Sequence, residues 1–341
     1  MKISWEPVSL ATRHTFKIAR ENLGGETFDN VIVRLEHEGV EAWGEAAPFF
    51  IYGDNQQIVI AALETWRPLI ESWQDPWQGE KMMAELDGAL ERNFAAKSAI
   101  DCALYDLQGK LAELPVYRML GLSHDTVPVS SFTIGIDTPD MVRQKVRESA
   151  NCPVLKIKVG GPGDVEILRI VREEAPGAII RVDANCGWEP HQALRMIYQL
   201  ADQGVEFVEQ PLPADNLEGQ RWLYSRSPLP LMADESCERL EDIKNCVGRF
   251  DMINIKLSKC GGLRHALKMI GAARAHNLEI MLGCMLESSI QITAAAQISP
   301  LVDYADLDGA ALLAEDPFTG VGFENGKLTL PNGPGLGVER K

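Results

Sequence analysis

Val154-Leu-Lys-Ile-Lys-Val159, Ile179-Ile-Arg-Val-Asp-Ala-Asn185, Val205-Glu-Phe-Val-Glu-Gln-Pro211 and Pro230-Leu-Met-Ala-Asp-Glu-Ser236 are four successive strand-like runs, and a fifth, Met252-Ile-Asn-Ile-Lys-Leu257, follows. Each ends in charge. Short β-branched runs built this way read as parallel strands that deliver functional groups to one rim of a barrel. Working outward, strand-like runs begin near 127, 154, 179, 205, 230, 251, 279 and 303. Helical stretches such as Val165 to Glu174 and Leu263 to His276 fill the gaps, at a repeat of roughly 25 residues. Eight such units without a solenoid-type sequence repeat favour a closed parallel barrel over an open doubly wound sheet. The last unit is poor in helix, so the expected class is α/β, a (β/α)7β TIM-like barrel.

Before the barrel the pattern differs. Asn30-Val-Ile-Val-Arg-Leu-Glu-His37, a turn at Glu38-Gly39 and Val40 to Glu45 alternate as an antiparallel hairpin. From about 56 to 121 the period turns helical, with Ile58, Ala61, Ala62 and Trp66 on one predicted face and Ala99, Ala103, Leu107 and Leu111 on another. Two loops stand out: polar Arg20 to Asp29, with paired glycines that read as a lid or a plain connection, and Pro48-Phe-Phe-Ile-Tyr-Gly-Asp-Asn55, read as a packed loop or a pocket wall. The Gly- and Pro-rich end, with strand-like Lys327-Leu-Thr-Leu330, reads as returning to the first part. The expected organisation is an α+β capping domain over 1–122, a barrel over 123–315 and a segment over 316–341 that rejoins the cap.

A chain of 341 residues suits one large domain and a smaller one. Its formal charge of -16 supplies no basic patch to displace counterions from phosphates, so no nucleic-acid partner is expected. The N-terminal Met1-Lys-Ile-Ser-Trp-Glu-Pro7 has no apolar export core, and no run is long enough to span a bilayer. Seven scattered cysteines without a CxxC pair fit reduced thiols, and a cytoplasmic location is expected. A homo-oligomer remains open.

Lys156 and Lys158 lie two apart on one strand and share a face, so both ammonium groups point into the barrel mouth. Like charges held together depress at least one pKa toward that of a working base. Asp183, Glu209 and Asp234 come from the next three strands. Three converging carboxylates repel and are costly to desolvate unless a cation sits among them. All-oxygen ligation with no nearby His or Cys selects a hard ion, Mg²⁺ first, although any one of these acids could instead cap a following helix. Lys256 ends the fifth run, and it is preferred to Lys259, which falls where Gly261-Gly262 announces the loop. Lysines then flank the metal-binding strands on both sides. A carboxylate held on the metal can lose its α-proton to one lysine and regain one from the other, which predicts inversion at that carbon.

These motifs, Lys156-Ile-Lys158, Asp183-Ala-Asn185, Glu209-Gln-Pro211, Asp234-Glu-Ser236 and Asn254-Ile-Lys-Leu-Ser-Lys-Cys-Gly-Gly262, resemble the enolase superfamily, muconate-lactonizing-enzyme subgroup, in order and spacing. Lys97-Ser-Ala-Ile-Asp-Cys-Ala-Leu-Tyr-Asp-Leu107 and Gly333-Pro-Gly-Leu-Gly337 extend the resemblance along the chain. Sites of this superfamily pair a Lys or His base with Mg²⁺. Within the subgroup the chain looks most like dipeptide epimerases of the L-Ala-D/L-Glu type. That resemblance implies a dipeptide substrate whose ammonium is held by Asp306 and Asp308, whose carboxylate is held by Lys156, and whose α-carbon lies between Lys158 and Lys256. It also implies substrate contacts from Thr133 and from Cys284, Met285 and Leu286, and an arginine, Arg20, for a side-chain carboxylate. Acidic Glu21, Glu26, Asp29 and Asp54 nearby would favour a cationic dipeptide if they face the site. The alternatives are an o-succinylbenzoate synthase or muconate cycloisomerase type of enzyme, against which the Asp306/Asp308 pair speaks, and an epimerase for cationic or hydrophobic dipeptides.

Overall fold

A computed structural model describes residues 1–19, 24–161 and 163–341. The N-terminal part is an antiparallel sheet of β1 (Lys2–Lys17), β2 (Gly24–His37) and β3 (Val40–Ala46), in that order. Glu38 and Gly39 take φ of 50° and 81°, a two-residue turn whose twist matches the strands it joins. The described part of the polar 20–29 segment departs from the expected loop: Phe28 pairs with Leu10 and Asp29 with Ser9, so the strand starts at Gly24. Partnering by β1 overrides the low strand propensity of those residues.

On this sheet pack α1 (Gln56–Ser72), α2 (Gly79–Ala89) and α3 (Phe94–Leu111), followed by α4 (Val116–Met119). The buried face of α1 is Val59, Ala62, Leu63, Trp66 and Ile70 rather than the one centred on Ile58 and Ala61, and Ile58 is 38% exposed. The two faces differ by one residue of phase, which periodicity alone does not resolve. Helix α3 is buried almost throughout because it lies between the sheet and the barrel. A Cβ on Gly44 would stand 1.9 Å from the carbonyl oxygen of Ala99, so only glycine lets β3 lie this close to α3.

The barrel strands are β4 (Phe132–Ile134), β5 (Val154–Lys158), β6 (Ile179–Asp183), β7 (Val205–Glu209), β8 (Leu231–Ala233), β9 (Met252–Ile255), β10 (Glu279–Gly283) and β11 (Tyr304–Asp306). They pair in parallel in chain order, and a bridge between Ser130 and Ala305 closes the ring. The first strand begins at 132 and not near 127, because His124–Thr126 forms a 3-10 turn before it. Helices α5 (Pro139–Glu148), α6 (Asp164–Glu174), α7 (Pro190–Asp202), α8 (Leu217–Tyr224), α9 (Ile243–Cys246), α10 (Leu257–Cys260), α11 (Leu263–Ala275) and α12 (Ser289–Ile298) occupy the connections. After β11 there is only a 3-10 turn, Gly309–Leu312, which gives the (β/α)7β pattern.

Alternate strand residues such as Leu155, Ile157, Ile180 and Val182 face the helices. Inside, Phe207, Met232, Met252 and Met281 plug the lower barrel, with the Arg181 guanidinium 5.3 Å from the Phe207 ring and 4.9 Å from that of Tyr304. The strand ends above this floor are left for chemistry. The last residues run back over the N-terminal part: Phe318 in β12 (Phe318–Thr319) meets Trp43 edge-on at 5.2 Å, and the Leu336 amide donates to Asp106 Oδ1 at 2.8 Å. Among the described residues no helix is long and apolar enough to cross a membrane.

The close contact of β3 with α3 yields a test of the fold. Gly44→Ala is expected to cost about 1–3 kcal/mol through overpacking and to lower Tm by at least about 3 °C. A variant melting with the wild type would mean that the two elements separate freely.

Candidate active site

Strand register assembles the site. Lys158 pairs with Asp183 and Asp183 with Glu209, so three consecutive strands place a base and two acids on one rung. Asp234 follows the end of β8, and its amide donates to Gln210 Oε1 at 2.9 Å. Gln210 also accepts from the Ser236 amide at 3.1 Å and donates to Leu212 O at 2.8 Å, so the residue after Glu209 ties two loops together. Its φ of 35°, with 41° at Asn185, shows backbone held in the left-handed region beside the acids. Asn254 Nδ2 donates to Glu209 Oε1 at 2.7 Å, and the Asn185 amide donates to Asp183 Oδ1 at 2.9 Å.

Asp183, Glu209 and Asp234 are fully buried, and one oxygen from each lies within 4.8 Å of the others. None of them caps a helix. Three hard oxygen donors converging in a buried place fit a hard divalent cation. Burial and the charge of Asp183 push the Glu209 carboxyl up to about 7. Burial works in the same direction on Asp234, but Lys256, Lys259 and Lys156 overcome it and hold this group far below the usual carboxylate range.

The lysines complete the charge pattern. Lys158 Nζ lies 2.6 Å from Asp183 Oδ2. Lys156 Nζ lies 2.7 Å from Glu209 Oε2, 2.8 Å from Asp306 Oδ2 and 3.1 Å from Asp183 Oδ2. Lys256 sits just past β9, as the residue immediately before α10, with Nζ 2.8 Å from Asp234 Oδ2. Lys259 turns the other way: its ammonium donates to Asp234 Oδ1 at 2.5 Å and to the carbonyls of Asp234, Cys237 and Asn254, which makes it a strut for Asp234. The expected depression by the Lys156/Lys158 pairing is not what the structure gives at Lys156. Burial lowers this ammonium, but Asp306, Glu209 and Asp183 surround it and hold it well above its usual value. Lys256 is likewise raised, by Asp234 against the effect of burial. Adjacent carboxylates outweigh the like-charge effect.

A cavity opens on this rim. It is lined by Lys156, Lys158 and Lys256, by Asp234, Asp306 and Asp308, and by Thr133, Cys284, Met285 and Leu286. Asp183 and Glu209 lie beneath it. Asp306 is engaged on both oxygens, by Lys156 and by Ser131 Oγ at 2.5 Å. Asp308 accepts the Thr133 amide at 2.6 Å, and burial together with the charge of Asp306 pushes its carboxyl up to about 7. Arg20 and Glu21 lie outside the described residues. The far wall comes from the cap: Phe16, Ile18, Phe28, Phe49, Ile51 and Tyr52. Pro48, Phe49, Ile51 and Tyr52 of the 48–55 loop thus form a pocket wall, whereas Phe50 is 58% exposed. Glu26 and Asp29 are exposed and pair with Thr15 and Ser9, and Asp54 is not on the wall, so these acids do not face the cavity.

Sequence reasoning passed over Asn30, Glu45, Asn185, Glu235 and Ser131 as site neighbours. Tyr52 lay within a quoted loop, and burial with the charges of Asp234 and Glu235 holds its phenol well above the usual range. Asn30 and Glu45 had no local signal, since an Asn and a Glu in a hairpin read as its solvent face.

Fold and site define a barrel enzyme with a hard-metal centre between two lysines. The chain matches the family model described as enolase C-terminal domain-like over residues 140–341, and that of the mandelate racemase / muconate lactonizing enzyme N-terminal domain over 6–121. It is 43% identical to an L-Ala-D/L-Glu epimerase of Bacteroides thetaiotaomicron over 99% of this chain and 88% of that one. It is 36% identical to an L-Ala-D/L-amino acid epimerase of Flavobacterium johnsoniae, covering 99% of both. The crystal structure of a dipeptide epimerase from Enterococcus faecalis complexed with Mg and the dipeptide L-Leu-L-Tyr superposes with a TM-score of 0.93 at 36% identity, over 99% of each chain. The chain belongs to the mandelate racemase and muconate lactonizing enzyme family of the enolase superfamily. It is an isomerase of the racemase and epimerase type, with Mg²⁺ as its cofactor.

Glu287, next to the cavity residues, offers a check on the buried electrostatics. It accepts Ser258 Oγ at 2.9 Å, and burial with the charge of Glu45 pushes its carboxyl from 4.5 up to about 8. Between those values the folded chain keeps a proton that the unfolded chain has shed, so this group lowers stability as pH rises. Glu287→Gln should therefore flatten the fall in Tm of the metal-free protein between pH 5 and about 8. Parallel curves for variant and wild type would place Glu287 in an ordinary environment.

Proposed function

We propose that the enzyme is a dipeptide epimerase that inverts the α-carbon of the C-terminal residue by 1,1-proton transfer, with L-Ala-D-Glu and L-Ala-L-Glu of peptidoglycan turnover as its substrates. The observation that carries this reading is the placement of Lys158 and Lys256 on opposite flanks of one carboxylate triad, each against a different acid. Asp183, Glu209 and Asp234 would hold the Mg²⁺. Bound there, the ion supplies the positive charge that stabilises the substrate carboxylate as the α-proton leaves.

The protein's own groups do the rest. Lys156, at the centre of the rim, meets the substrate carboxylate. One of Lys158 and Lys256 takes the α-proton from one face, and the other delivers a proton to the opposite face. Asp308, with Asp306 beside it, receives the ammonium of the N-terminal residue; an ammonium there would relieve the crowding that raises the Asp308 carboxyl. An o-succinylbenzoate or muconate substrate has no ammonium to offer this acid. Arg20 is proposed to pair with the side-chain carboxylate of a C-terminal Glu, which a planar guanidinium meets in bidentate fashion.

One observation favours a second reading. The described cap wall is apolar, built from Phe16, Ile18, Phe28, Phe49 and Ile51, and among the described residues no arginine lines the cavity. Such a wall suits a hydrophobic C-terminal side chain. Comparing kcat/KM for L-Ala-L-Glu and L-Ala-L-Leu decides between the readings. Arg20→Ala is expected to cost the first substrate about 10²-fold or more and to leave the second within about threefold; equal losses on both would remove Arg20 from side-chain recognition.

The two-base mechanism is tested by solvent exchange. In D₂O the wild type should place label at the α-carbon of both stereoisomers, Lys158→Ala should lose exchange from one and Lys256→Ala from the other, each by about 10²-fold or more. Wild-type exchange in either variant would refute the assignment. An N-acetylated dipeptide, which lacks the ammonium, should bind at least about tenfold more weakly than the free one. Equal binding would leave Asp306 and Asp308 without that role.

A further inference from the structure

We infer that Asn30 and Glu45, two residues of the capping sheet, are positioning residues that fix the substrate-facing backbone of residues 284–288 at the end of β10. Ile32 pairs with Glu45 across β2 and β3, so Asn30, two residues before Ile32, shares a sheet face with Glu45 as its diagonal neighbour. Both are deeply buried, at 2% and 0% exposure. Asn30 Nδ2 donates to Glu45 Oε1 at 2.8 Å and to the carbonyl of Leu286 at 3.0 Å. Glu45 also accepts the Ser288 amide at 3.0 Å on each oxygen and the Ser288 hydroxyl at 2.5 Å. A carboxamide and a carboxylate from the cap therefore grip the barrel loop on both sides of Glu287.

The grip extends in two directions. Glu287 accepts from Ser258 Oγ, two residues past Lys256, so the same loop is tied to the turn that carries the base. The carbonyl of Asn30 accepts Gln56 Nε2 at 2.8 Å, and Gln56 opens α1 directly after the aromatic wall of residues 49–52. A carboxylate without a cationic partner is costly to bury, and desolvation raises that of Glu45. Among the described residues its side-chain hydrogen bonds go to Asn30 and Ser288, which means that the cost is met by ordering this junction. Cys284, Met285 and Leu286 line the cavity, and so does Asn30, whereas Glu45 does not, so Glu45 acts on the substrate through the loop and through the Asn30 side chain it holds.

The catalytic arm of the test rests on the dipeptide reading; the structural arm does not. Glu45→Gln keeps the shape but in either orientation sets an NH₂ donor against the Ser288 amide, and in one of them against Asn30 Nδ2 as well, while Asn30→Ala removes the donor to Leu286. Each is expected to raise KM for L-Ala-L-Glu at least about tenfold while kcat and the Mg²⁺ Kd stay within about threefold. Because both act through one loop, the double variant should exceed the worse single by no more than about threefold in KM. Hydrogen exchange read by mass spectrometry should show residues 284–290 exchanging at least about tenfold faster, with the β5 to β8 strands unchanged. The inference is overturned if KM is unchanged, if kcat and Mg²⁺ affinity fall along with it, if the KM effects multiply, or if residues 284–290 keep wild-type exchange. If the wild type turns over no dipeptide, the substrate reading fails, and exchange at 284–290 alone then decides the matter. Should Glu45→Gln not fold, Asn30→Ala decides through exchange at residues 284–290, because Asn30 itself lines the cavity and its KM would not separate a direct contact from the loop.

Discussion

Buried charge balance at the barrel rim is the constraint to which the rest of this structure answers. Asp183, Glu209, Asp234, Asp306 and Asp308 are all buried at one end of the barrel, and Lys156, Lys158, Lys256 and Lys259 are buried among them. None of these groups would be tolerated there alone, since an unpaired ion in a protein interior costs several kcal/mol or more. Ion pairing satisfies most of the acids, but Glu209 and Asp308 are left with raised carboxyls. These two are where further positive charge is best accommodated, one within the carboxylate triad and the other at the far side of Lys156.

The barrel exists to keep that balance in register. Parallel pairing puts Lys158, Asp183 and Glu209 on one level, and the apolar floor of Phe207, Met232, Met252 and Met281 closes the ring beneath. Lys259 and Gln210 hold Asp234 in place without facing the cavity. Their positions explain why the motifs around the rim acids are longer than the acids themselves: Gln follows Glu209 because it must bridge two loops, and Asn precedes Lys256 by two because it must reach Glu209. A Cβ on Gly283 would come within 2.5 Å of Asn254 Oδ1, so glycine there clears space for that reach.

Much of this was legible in the chain, for a physical reason. Barrel strands announce themselves by β-branched runs at a steady repeat, and side chains two apart on a strand must share a face, so the rim acids and Lys156 with Lys158 could be placed before any coordinates. The phase of α1 was missed because two candidate apolar faces differ by a single residue, and the start of β2 because pairing with β1 recruits residues that locally read as loop. That Lys156 is held above its usual value was not legible, for a deeper reason. A sequence shows the neighbour two residues away, but not Asp306, which comes from 150 residues further along and touches the same ammonium.

The cap poses the converse problem, because its contribution to the cavity is almost wholly tertiary. Phe16, Phe28 and Phe49 become neighbours only when β1, β2 and the loop before α1 close over the rim. Asn30 and Glu45 look like the polar positions of a solvent-facing hairpin until β10 brings Leu286 and Ser288 against them. A division of labour follows from this. Under the proposed function, rim residues fixed by strand register would set which bond is broken, and a wall held to the rim by a handful of buried hydrogen bonds would set which side chain is admitted. Substitutions in the wall can then alter the substrate without disturbing the charge balance beneath it, whereas any change in the rim must be compensated by another charge within a few ångströms.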